Sequence, residues 1–227
     1  MMLSDGDWIA LGLTFKLAFV STAVLILWCL PVAWWLAKTR WRGRFILEAI
    51  IAMPLVLPPT VLGFYLLILL SPEGMIGRLL SSLGLGNMAF SFSGLVIGSC
   101  IYSLPFVMQP LQNAFSSLDH RQLEVAATLG ASPLQRLITL ILPMIKPGLI
   151  TAAVLGFAHT LGEFGVVLMI GGNIPGETQV VSIAIYDHVE SLQYQQAHWL
   201  AATLLLISFV LLLLVYATNK QFRLGAK

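Results

Sequence analysis

Long stretches without a charged side chain constrain this sequence more than any other feature. Five runs lack Asp, Glu, Lys and Arg entirely: Leu17–Ala37, Ala49–Leu70, Phe92–Ser116, Pro147–Leu161 and Trp199–Thr218. Most of them reach the roughly 20 residues that an α-helix needs to cross about 30 Å of hydrocarbon. Charged residues make up only 10% of the 227, whereas a soluble domain has about a quarter. The sequence therefore predicts an all-α integral membrane protein with about five transmembrane helices.

The charges in the loops predict how these helices cross the membrane. Residues 38–44 read KTRWRGR and place four basic side chains between the first two runs. Short loops rich in Lys and Arg stay in the cytoplasm, so this loop is predicted to be inside. The other loops then alternate, which puts residues 119–136 inside, together with the tail that contains Lys220, Arg223 and Lys227. Five spans, with the N-terminus outside and the C-terminus inside, agree with every loop.

Residues 162–197 differ from the five runs. FGVVLMIGG has about nine apolar residues, which are too few to span, NIPGET is typical of a turn, and VVSIAIYDHVESL suits a short amphipathic helix. We expect a re-entrant or interfacial segment on the outer face, within a single transmembrane domain that covers residues 1–227. A sixth span is the alternative, but it would break the alternation of the loop charges.

Prolines interrupt the second run within MPLVLPPTVLG (Met53–Gly63). Each proline removes a backbone donor and bends or interrupts a helix, and the freed carbonyls must find partners in neighbouring helices or water. A break next to a hydroxyl such as Thr60 and a glycine such as Gly63 is typical of helices that line a permeation path. Kinks that serve only the packing of the helices are the alternative.

A polar island, Leu123–Pro143, stands within the apolar sequence and reads LEVAATLGASPLQRLITLILP. A helix there would group small side chains with Glu124 on one face, where another chain can approach closely. Asp119 is suited to cap the start of this helix. Gly130 and the following Ser132–Pro133 predict a stop and a second, newly capped helix. We predict two short helices joined by a sharp corner on the cytoplasmic side, with an amphipathic helix on the membrane surface as the alternative.

The spacing within this island resembles the EAA motif of ABC importer permeases, the membrane subunits of these transporters. The pattern E-x-A-A-x-x-G, then nine residues, then L-x-L-P is formed here by Glu124, Ala126, Ala127, Gly130, Leu140, Leu142 and Pro143. The family has Ile where Leu140 stands and Ala where Val125 stands, which are mild departures. The resemblance implies the fold of type I ABC importer permeases (MetI-like). It also implies that residues 119–143 are a coupling loop that docks into a cleft of a separate ATP-binding subunit.

The resemblance implies the partners as well. The sequence has no G-x-x-x-x-G-K-[ST] phosphate loop, so ATP and Mg are expected on the ATPase subunits. This chain is then a non-catalytic subunit without a cofactor of its own. A second copy related by a two-fold axis and two ATP-binding cassette subunits on the cytoplasmic face complete the expected assembly. This assembly is expected to lie in the lipid bilayer of the bacterial inner membrane, and no nucleic acid is expected as a partner.

Further segments resemble the molybdate branch of this family, above all LGEFG (Leu161–Gly165) and GNIPGET (Gly172–Thr178). This similarity runs from Trp8 to about Tyr216. It implies import of molybdate, and of tungstate as a dianion of similar size, delivered by an extracytoplasmic molybdate-binding protein. Sulfate and thiosulfate permeases share the P-P-T element and much of the EAA loop. Import of sulfate or another oxyanion therefore stays open.

Polar residues in the spans and in the segment 162–197 are candidates for the lining of a translocation pathway. Four were selected: Thr60, Ser103, Thr160 and Asn173. Each hydroxyl among them can instead bond a carbonyl of its own helix. A carboxylate facing the pore would repel an anion, so Glu163 is expected to have a structural role at the outer gate, together with His159. His159 stands apart from other potential ligands, and no metal site is predicted.

Two other classes of function fit the sequence less well. A membrane enzyme would need paired carboxylates, metal-spaced His or Cys residues, or a Ser/His set near one membrane face, and the sequence suggests no such catalytic residues. An ATP-independent secondary carrier would show an internal repeat and ionisable residues at the midplane. Neither is apparent in the sequence.

Overall fold

The computed structural model describes residues 3–84 and 86–218, and every regular element in these ranges is helical. The α-helices are α1 (Asp5–Lys38), α2 (Arg44–Ala52), α3 (Pro59–Leu70), α4 (Met75–Ser82), α5 (Phe92–Ser116), α6 (His120–Thr128), α7 (Pro133–Arg136), α8 (Leu142–Leu161), α9 (Gly165–Gly171), α10 (Val181–Glu190) and α11 (Tyr194–Thr218). A 3₁₀ turn, Met53–Leu55, follows α2, and a π-helical turn, Leu137–Ile141, joins α7 to α8. The all-α prediction is confirmed.

Four stretches within the described residues are long and apolar enough to cross a membrane: Asp5–Lys38, Phe92–Ser116, Pro133–Leu161 and Tyr194–Leu213. A fifth span is present if Arg44–Leu55 and Pro59–Leu70, which meet at an angle of 109°, are counted as one broken helix. About five spans were predicted, which agrees with this count. The orientation stays a prediction, and the basic tail on which it partly depends lies outside the described residues.

The second span breaks where the sequence predicts it. Pro58 is extended (φ −55°, ψ 135°) and Pro59 occupies the first turn of α3, where its missing N–H costs no hydrogen bond. Gly63 then lets α3 approach α9 closely. A Cβ at this position would lie 2.8 Å from Cβ of Met169 and 3.1 Å from Cα of Val166. The break therefore turns α3 onto α9 and is fixed there by the absence of a side chain.

The fourth span starts earlier than the uncharged run Pro147–Leu161 suggests. The helix continues from Pro133 through the π turn into α8, although Pro143 and Pro147 both lie within it. A π turn has one extra residue in its hydrogen-bonded ring, and this wider turn precedes Pro143. The end of the predicted loop 119–143 is thus continuous with a transmembrane helix.

Helix α5 lies at the centre and packs against α1, α8 and α9. Its side chains Val107 and Leu111 are fully buried in a core shared with Leu25 of α1 and Ile145 of α8. Gly148 of α8 faces Ala114 of α5, and a Cβ on this glycine would lie 2.4 Å from Cβ of Ala114. The two helices are therefore in backbone-close contact near the C-terminal end of α5 and the start of α8.

Residues 162–197 fold as α9, a turn and α10, and they return to the first turns of α1. The backbone N–H of Val181 donates to Oγ1 of Thr14 at 2.8 Å. Nε2 of His188 lies 2.9 Å from Oδ1 of Asp7, which is itself buried. These contacts hold the segment against the end of α1. Its re-entrant or interfacial position relative to the bilayer stays a prediction.

Candidate functional site

The polar island forms a capped helix with a tightly closed end. Oδ1 of Asp119 accepts a hydrogen bond from the backbone N–H of Arg121 at 2.9 Å, and α6 begins there. At the other end, the N–H of Ala131 donates to the carbonyl of Ala126, and that of Gly130 donates to the carbonyl of Ala127, each at 3.0 Å. Gly130 has a φ of +83°. This pair of bonds is a Schellman motif, which needs a residue in the left-handed region at its corner.

A capping box starts the second short helix. The backbone N–H of Gln135 donates to Oγ of Ser132 at 3.2 Å, and the N–H of Ser132 donates to Oε1 of Gln135 at 2.8 Å. Pro133 fills the first turn, as predicted. The cap at Asp119, the stop at Gly130 and the cap at Ser132 are therefore confirmed as local structure. The corner between α6 and α7 is defined by short-range hydrogen bonds alone.

Most of the motif is displayed on the surface of the subunit. Glu124, Ala127 and Gly130 are exposed, and Ala126 is half-buried. Leu129 at the corner is 82% exposed. Leu142 and Pro143 are also exposed, but they belong to the first turn of α8. The structure thus separates the motif into an exposed short helix and the start of a span.

A cavity of about 250 Å³ lies between α6 and the C-terminal end of α1. Glu124 and Ala127 line it together with Lys38 and Arg136. Nε of Arg136 is buried and has no hydrogen-bond partner among the described residues. Nζ of Lys38 lies 4.4 Å from the ring centre of Trp34. Glu124 therefore stands beside two basic side chains, which leaves a carboxylate at the exposed edge of a positively charged recess.

Two of the four predicted pathway residues meet inside the helix bundle. Oγ of Ser103, on α5, lies 3.1 Å from Oγ1 of Thr160 and 2.8 Å from Nδ1 of His159, both on α8. The ring of His159 stacks on Phe106, with centroids 3.9 Å apart and planes at 25°, and contacts Tyr102 at 4.7 Å. His159 was expected at the outer gate. The structure places its ring with the pathway candidates.

The other two pathway candidates lie elsewhere. Thr60 is exposed at the start of α3, immediately after the break of the second span. Asn173 is exposed on the turn after α9, and its amide donates to Oδ2 of Asp187 at 2.6 Å. The amide is therefore already engaged by a carboxylate. Neither residue belongs to the cluster around Ser103.

Glu163 follows α8 in the connection to α9 and is only 3% exposed. Neither carboxyl oxygen has a hydrogen-bond partner among the described residues, and the Ser99 hydroxyl faces the carboxyl without forming a well-directed hydrogen bond. Ser182 instead donates to the backbone carbonyl of Glu163 at 2.6 Å. The side chain is thus enclosed away from any open pore, without the basic partner that a structural ion pair would require.

Helix α5 also has a polar face, which was not predicted from the sequence. Gln109, Asn113 and Ser116 are exposed and repeat at intervals of four and three residues, so they lie on one side of the helix. A cavity of about 440 Å³ between α5 and α8 is lined by Asn113, Ser117 and Thr151, among others. The signal was present, because amides at helical spacing within an uncharged run are unusual. Among the described residues, no group of His, Cys, Asp and Glu is arranged to hold a metal ion.

Comparison with known proteins decides the family. The sequence model of the binding-protein-dependent transport system inner membrane component matches residues 29–223. The chain belongs to this family. It is therefore a multi-pass protein of the bacterial inner membrane and a non-catalytic permease subunit of an ABC transporter.

Curated relatives with similar sequences carry two substrate names. The chain is 54% identical over 225 residues, 99% of each chain, to the molybdenum transport system permease protein ModB of Azotobacter vinelandii. It is 34% identical over 192 residues to ModB of Escherichia coli (strain K12), covering 84% of this chain and 83% of that protein. It is also 32% identical over 213 residues to the sulfate transport system permease protein CysT of Salmonella typhimurium, covering 94% of this chain and 76% of that protein.

Solved structures show the same fold at lower sequence identity. A bacterial alginate ABC transporter, in complex with a periplasmic protein that holds an alginate pentasaccharide, matches with a TM-score of 0.77 and 20% identity. The match covers 96% of this chain and 80% of that one. The MetNI methionine ABC transporter in an inward-facing conformation matches with a TM-score of 0.65 and 19% identity, over 100% and 96% of the chains. The expected type I importer permease fold is confirmed.

Proposed function

We propose that this permease imports molybdate, and tungstate with it, as part of an ATP-driven transporter. The observation that carries the proposal is the 54% identity to a molybdenum permease over 99% of both chains. Similarity to the sulfate permease is lower, at 32%, although it extends over most of this chain. Sulfate import is therefore the second candidate.

The proposed assembly has two copies of this chain, two ATPase subunits and one extracytoplasmic molybdate-binding protein. A periplasmic protein is present with the alginate transporter whose chain shares this fold, which supports a binding protein on the outer face. The bent second span and the exposed face of α3 leave one side of the subunit without a partner. A second copy on that side would enclose a pathway on the two-fold axis. ATP and Mg would bind only to the ATPase subunits.

Reconstitution tests the substrate directly. The permease, its ATPase and the binding protein encoded beside it are placed in proteoliposomes, and uptake of radiolabelled molybdate is measured with and without ATP. We expect ATP-dependent uptake that excess tungstate inhibits and that an equal excess of sulfate leaves largely intact. Uptake that sulfate suppresses more strongly than tungstate would assign the chain to sulfate. Uptake without the ATPase subunit would make it a secondary carrier.

We propose that α6 is the coupling helix that enters a cleft of the ATPase. Three features support this role: the small side chains of Ala126 and Ala127, the exposed apolar corner at Leu129, and the carboxylate of Glu124 beside a basic recess. Leu142 and Pro143 would act differently, because they begin the span that α6 has to move. The continuous helix from Pro133 to Leu161 then transmits the displacement into the membrane.

Gly130 offers a sharp test of this role. An alanine at a φ of +83° is strained by about 1–2 kcal/mol. This strain would lower the population of the corner conformation by about five- to thirtyfold. Gly84 is a matched control, because its φ is +76° and it too has open space around it. We expect Gly130→Ala to abolish stimulation of the ATPase by the loaded binding protein, and Gly84→Ala to preserve it. Equal effects of the two substitutions would refute the assignment of α6.

A further inference from the structure

One face of α5 carries polar side chains beside α8, and we call the strip between the two helices, from His159 to Asn113, the polar groove. On α5, Tyr102, Phe106, Gln109 and Asn113 follow one another at spacings of four, three and four residues, so they share one face. Gln109 and Asn113 are exposed on this face. Amides exposed to hydrocarbon would be costly, and a transmembrane face that carries them lines a water-filled space. The cavity of about 440 Å³ beside Asn113 is the cytoplasmic end of this groove.

His159 stands at the other end of the groove and has a defined arrangement of protons. The carbonyl of Gly156 can only accept, so Oγ1 of Thr160, at 3.0 Å, donates to it. Ser103 must then donate to Thr160, and Nδ1 of His159 must donate to Ser103. The three contacts therefore assign the proton of the neutral ring to Nδ1. Nε2 keeps a free lone pair.

Nε2 of His159 is unpartnered within the described part of the chain and not fully buried. Among the described residues it has no hydrogen bond, and it is not one of the buried unpartnered atoms. The faces of the ring are covered by Phe106 and Tyr102. Aromatic faces attract a cation, so this setting favours a protonated ring more than an aliphatic one would. The ring is held in one orientation with a single nitrogen presented outward.

The stretches of α5 and α8 beside the groove carry no fixed charge to attract or repel an anion, and Lys146 of α8 lies just before them. Residues 92–116 and 147–161 contain no Asp, Glu, Lys or Arg. The titratable groups around the ring are Tyr102 on α5 and Glu163 beyond the end of α8, and Glu163 is enclosed. The lone pair of a neutral Nε2 would repel an oxyanion, whereas a protonated Nε2 would donate a hydrogen bond to it. An adjacent anion favours the charged form of an imidazole.

We propose that His159 is the oxyanion contact of the pathway, and that its Nε2 binds one proton when a tetrahedral dianion arrives. This inference rests on the proposed function, because it requires an oxyanion substrate. The proton comes from solvent water and returns to water when the anion leaves towards the cytoplasm. The imidazolium donates Nε2–H to a substrate oxygen, while Nδ1–H stays on Ser103. The imidazolium and the bound dianion together then carry one negative charge instead of two. This lower net charge permits passage without tight binding.

Two substitutions separate the roles of the two ring nitrogens. His159→Asn keeps an amide donor near Nδ1 for Ser103 but has nothing at the position of Nε2. His159→Gln extends an amide towards the position of Nε2 and cannot titrate. Thr203→Val on α11 is the control, because it also removes a hydroxyl that bonds its own helix, at the carbonyl of Trp199, but lies away from the groove.

Molybdate uptake by the full transporter in proteoliposomes is measured across external pH values from about 5.5 to about 8.5. Wild type and Thr203→Val should transport less as the pH rises. His159→Asn should lose about ten- to hundredfold, the value of a hydrogen bond to a charged group. His159→Gln should retain partial uptake that does not change with pH. Intact assembly with the ATPase, measured by co-purification, distinguishes these losses from misfolding.

The outcomes separate this inference from the proposed function. If wild type imports sulfate in place of molybdate, the same variants are compared with sulfate, which is also a tetrahedral dianion. If wild type imports no oxyanion, the proposed function and the role of His159 fail together. If wild type imports an oxyanion and His159→Asn matches it in rate and pH profile, only the role of His159 fails. A pH profile of His159→Gln that follows wild type would also refute it.

Discussion

The contact between Gly148 and Ala114 supports a prediction that depends on tertiary structure alone. A Cβ added to Gly148 would lie 2.4 Å from Cβ of Ala114 and 3.2 Å from the carbonyl oxygen of Pro110. Both obstacles are fixed to the backbone of α5, so no rotamer change can relieve them. Gly148→Ala must therefore push α8 away from α5, at the end where the two helices enclose the groove.

The magnitudes follow from three terms. Overpacking costs about 1–3 kcal/mol, while an alanine in place of a helix-interior glycine stabilises by about 1 kcal/mol. Gly148→Ala alone should thus cost up to about 2 kcal/mol, and Ala114→Gly alone about 1 kcal/mol. In the double variant the two helix terms cancel and the contact with Cβ of Ala114 is absent, so only the milder 3.2 Å approach to the carbonyl oxygen of Pro110 is left. Its stability should therefore return close to that of wild type. The coupling free energy is then about −1 to −3 kcal/mol.

Thermal unfolding of the purified transporter in detergent measures this cycle, with ATP-driven uptake as a second reading. Gly12→Ala is the control, because Gly12 lies within α1 and has nothing within 4 Å of an added Cβ; it should be neutral or slightly stabilising. Uptake should fall in Gly148→Ala and recover in the double variant. If the two substitutions add without coupling, the close approach of α5 and α8 is not what makes Gly148 necessary.

Two further predictions concern ionisable residues outside the spans' interior. Burial lowers the pKa of His188, but its hydrogen bonds to Asp7 and Gln193 and the nearby carboxylates outweigh burial and raise it. The charged pair with Asp7 should stabilise fully below about pH 6.5, and this contribution should fall as the pH rises through the raised pKa of the folded state. The destabilisation by His188→Gln should therefore shrink between about pH 6 and about pH 9 in the same thermal assay, and a constant difference would contradict the pairing. Glu163→Gln should change the free energy of unfolding by less than about 1 kcal/mol, because the carboxyl has no charged partner among the described residues. A loss of stability as large as that caused by Glu163→Leu would show that the charge is needed.

Local patterns were sufficient to predict much of the structure of residues 119–143. Asp119, Gly130 and Ser132 act on backbone groups within three to five residues of themselves. Cap and stop signals operate at that range, so they could be predicted from sequence. The break at Pro58–Pro59 belongs to the same class, because a proline changes the hydrogen bonding of its own helix wherever that helix is placed. The EAA resemblance then related this local structure to a family.

The contacts around His159 could not be predicted from such local patterns. Nothing in the sequence joins Ser103 to His159 and Thr160, from which it is separated by 56 and 57 residues. Glu163 was expected to have a structural role at the outer gate, and its carboxyl is enclosed without a hydrogen-bond partner among the described residues. Thr60 and Asn173, which have the same polar character as Ser103, lie elsewhere. Residue type alone therefore did not separate the residues that meet from those that do not.

The sequence by itself determined that the chain is a helical membrane protein, where its second span breaks and how the short helices of residues 119–143 are capped. Those features depend on hydrophobicity and on hydrogen bonds within a few residues. Only the tertiary structure decided which polar atoms share a groove, which nitrogen of His159 is free and which helices touch at Gly148. These depend on contacts between distant helices, because the packing of α5 against α8 sets the distance between side chains that no short-range pattern connects.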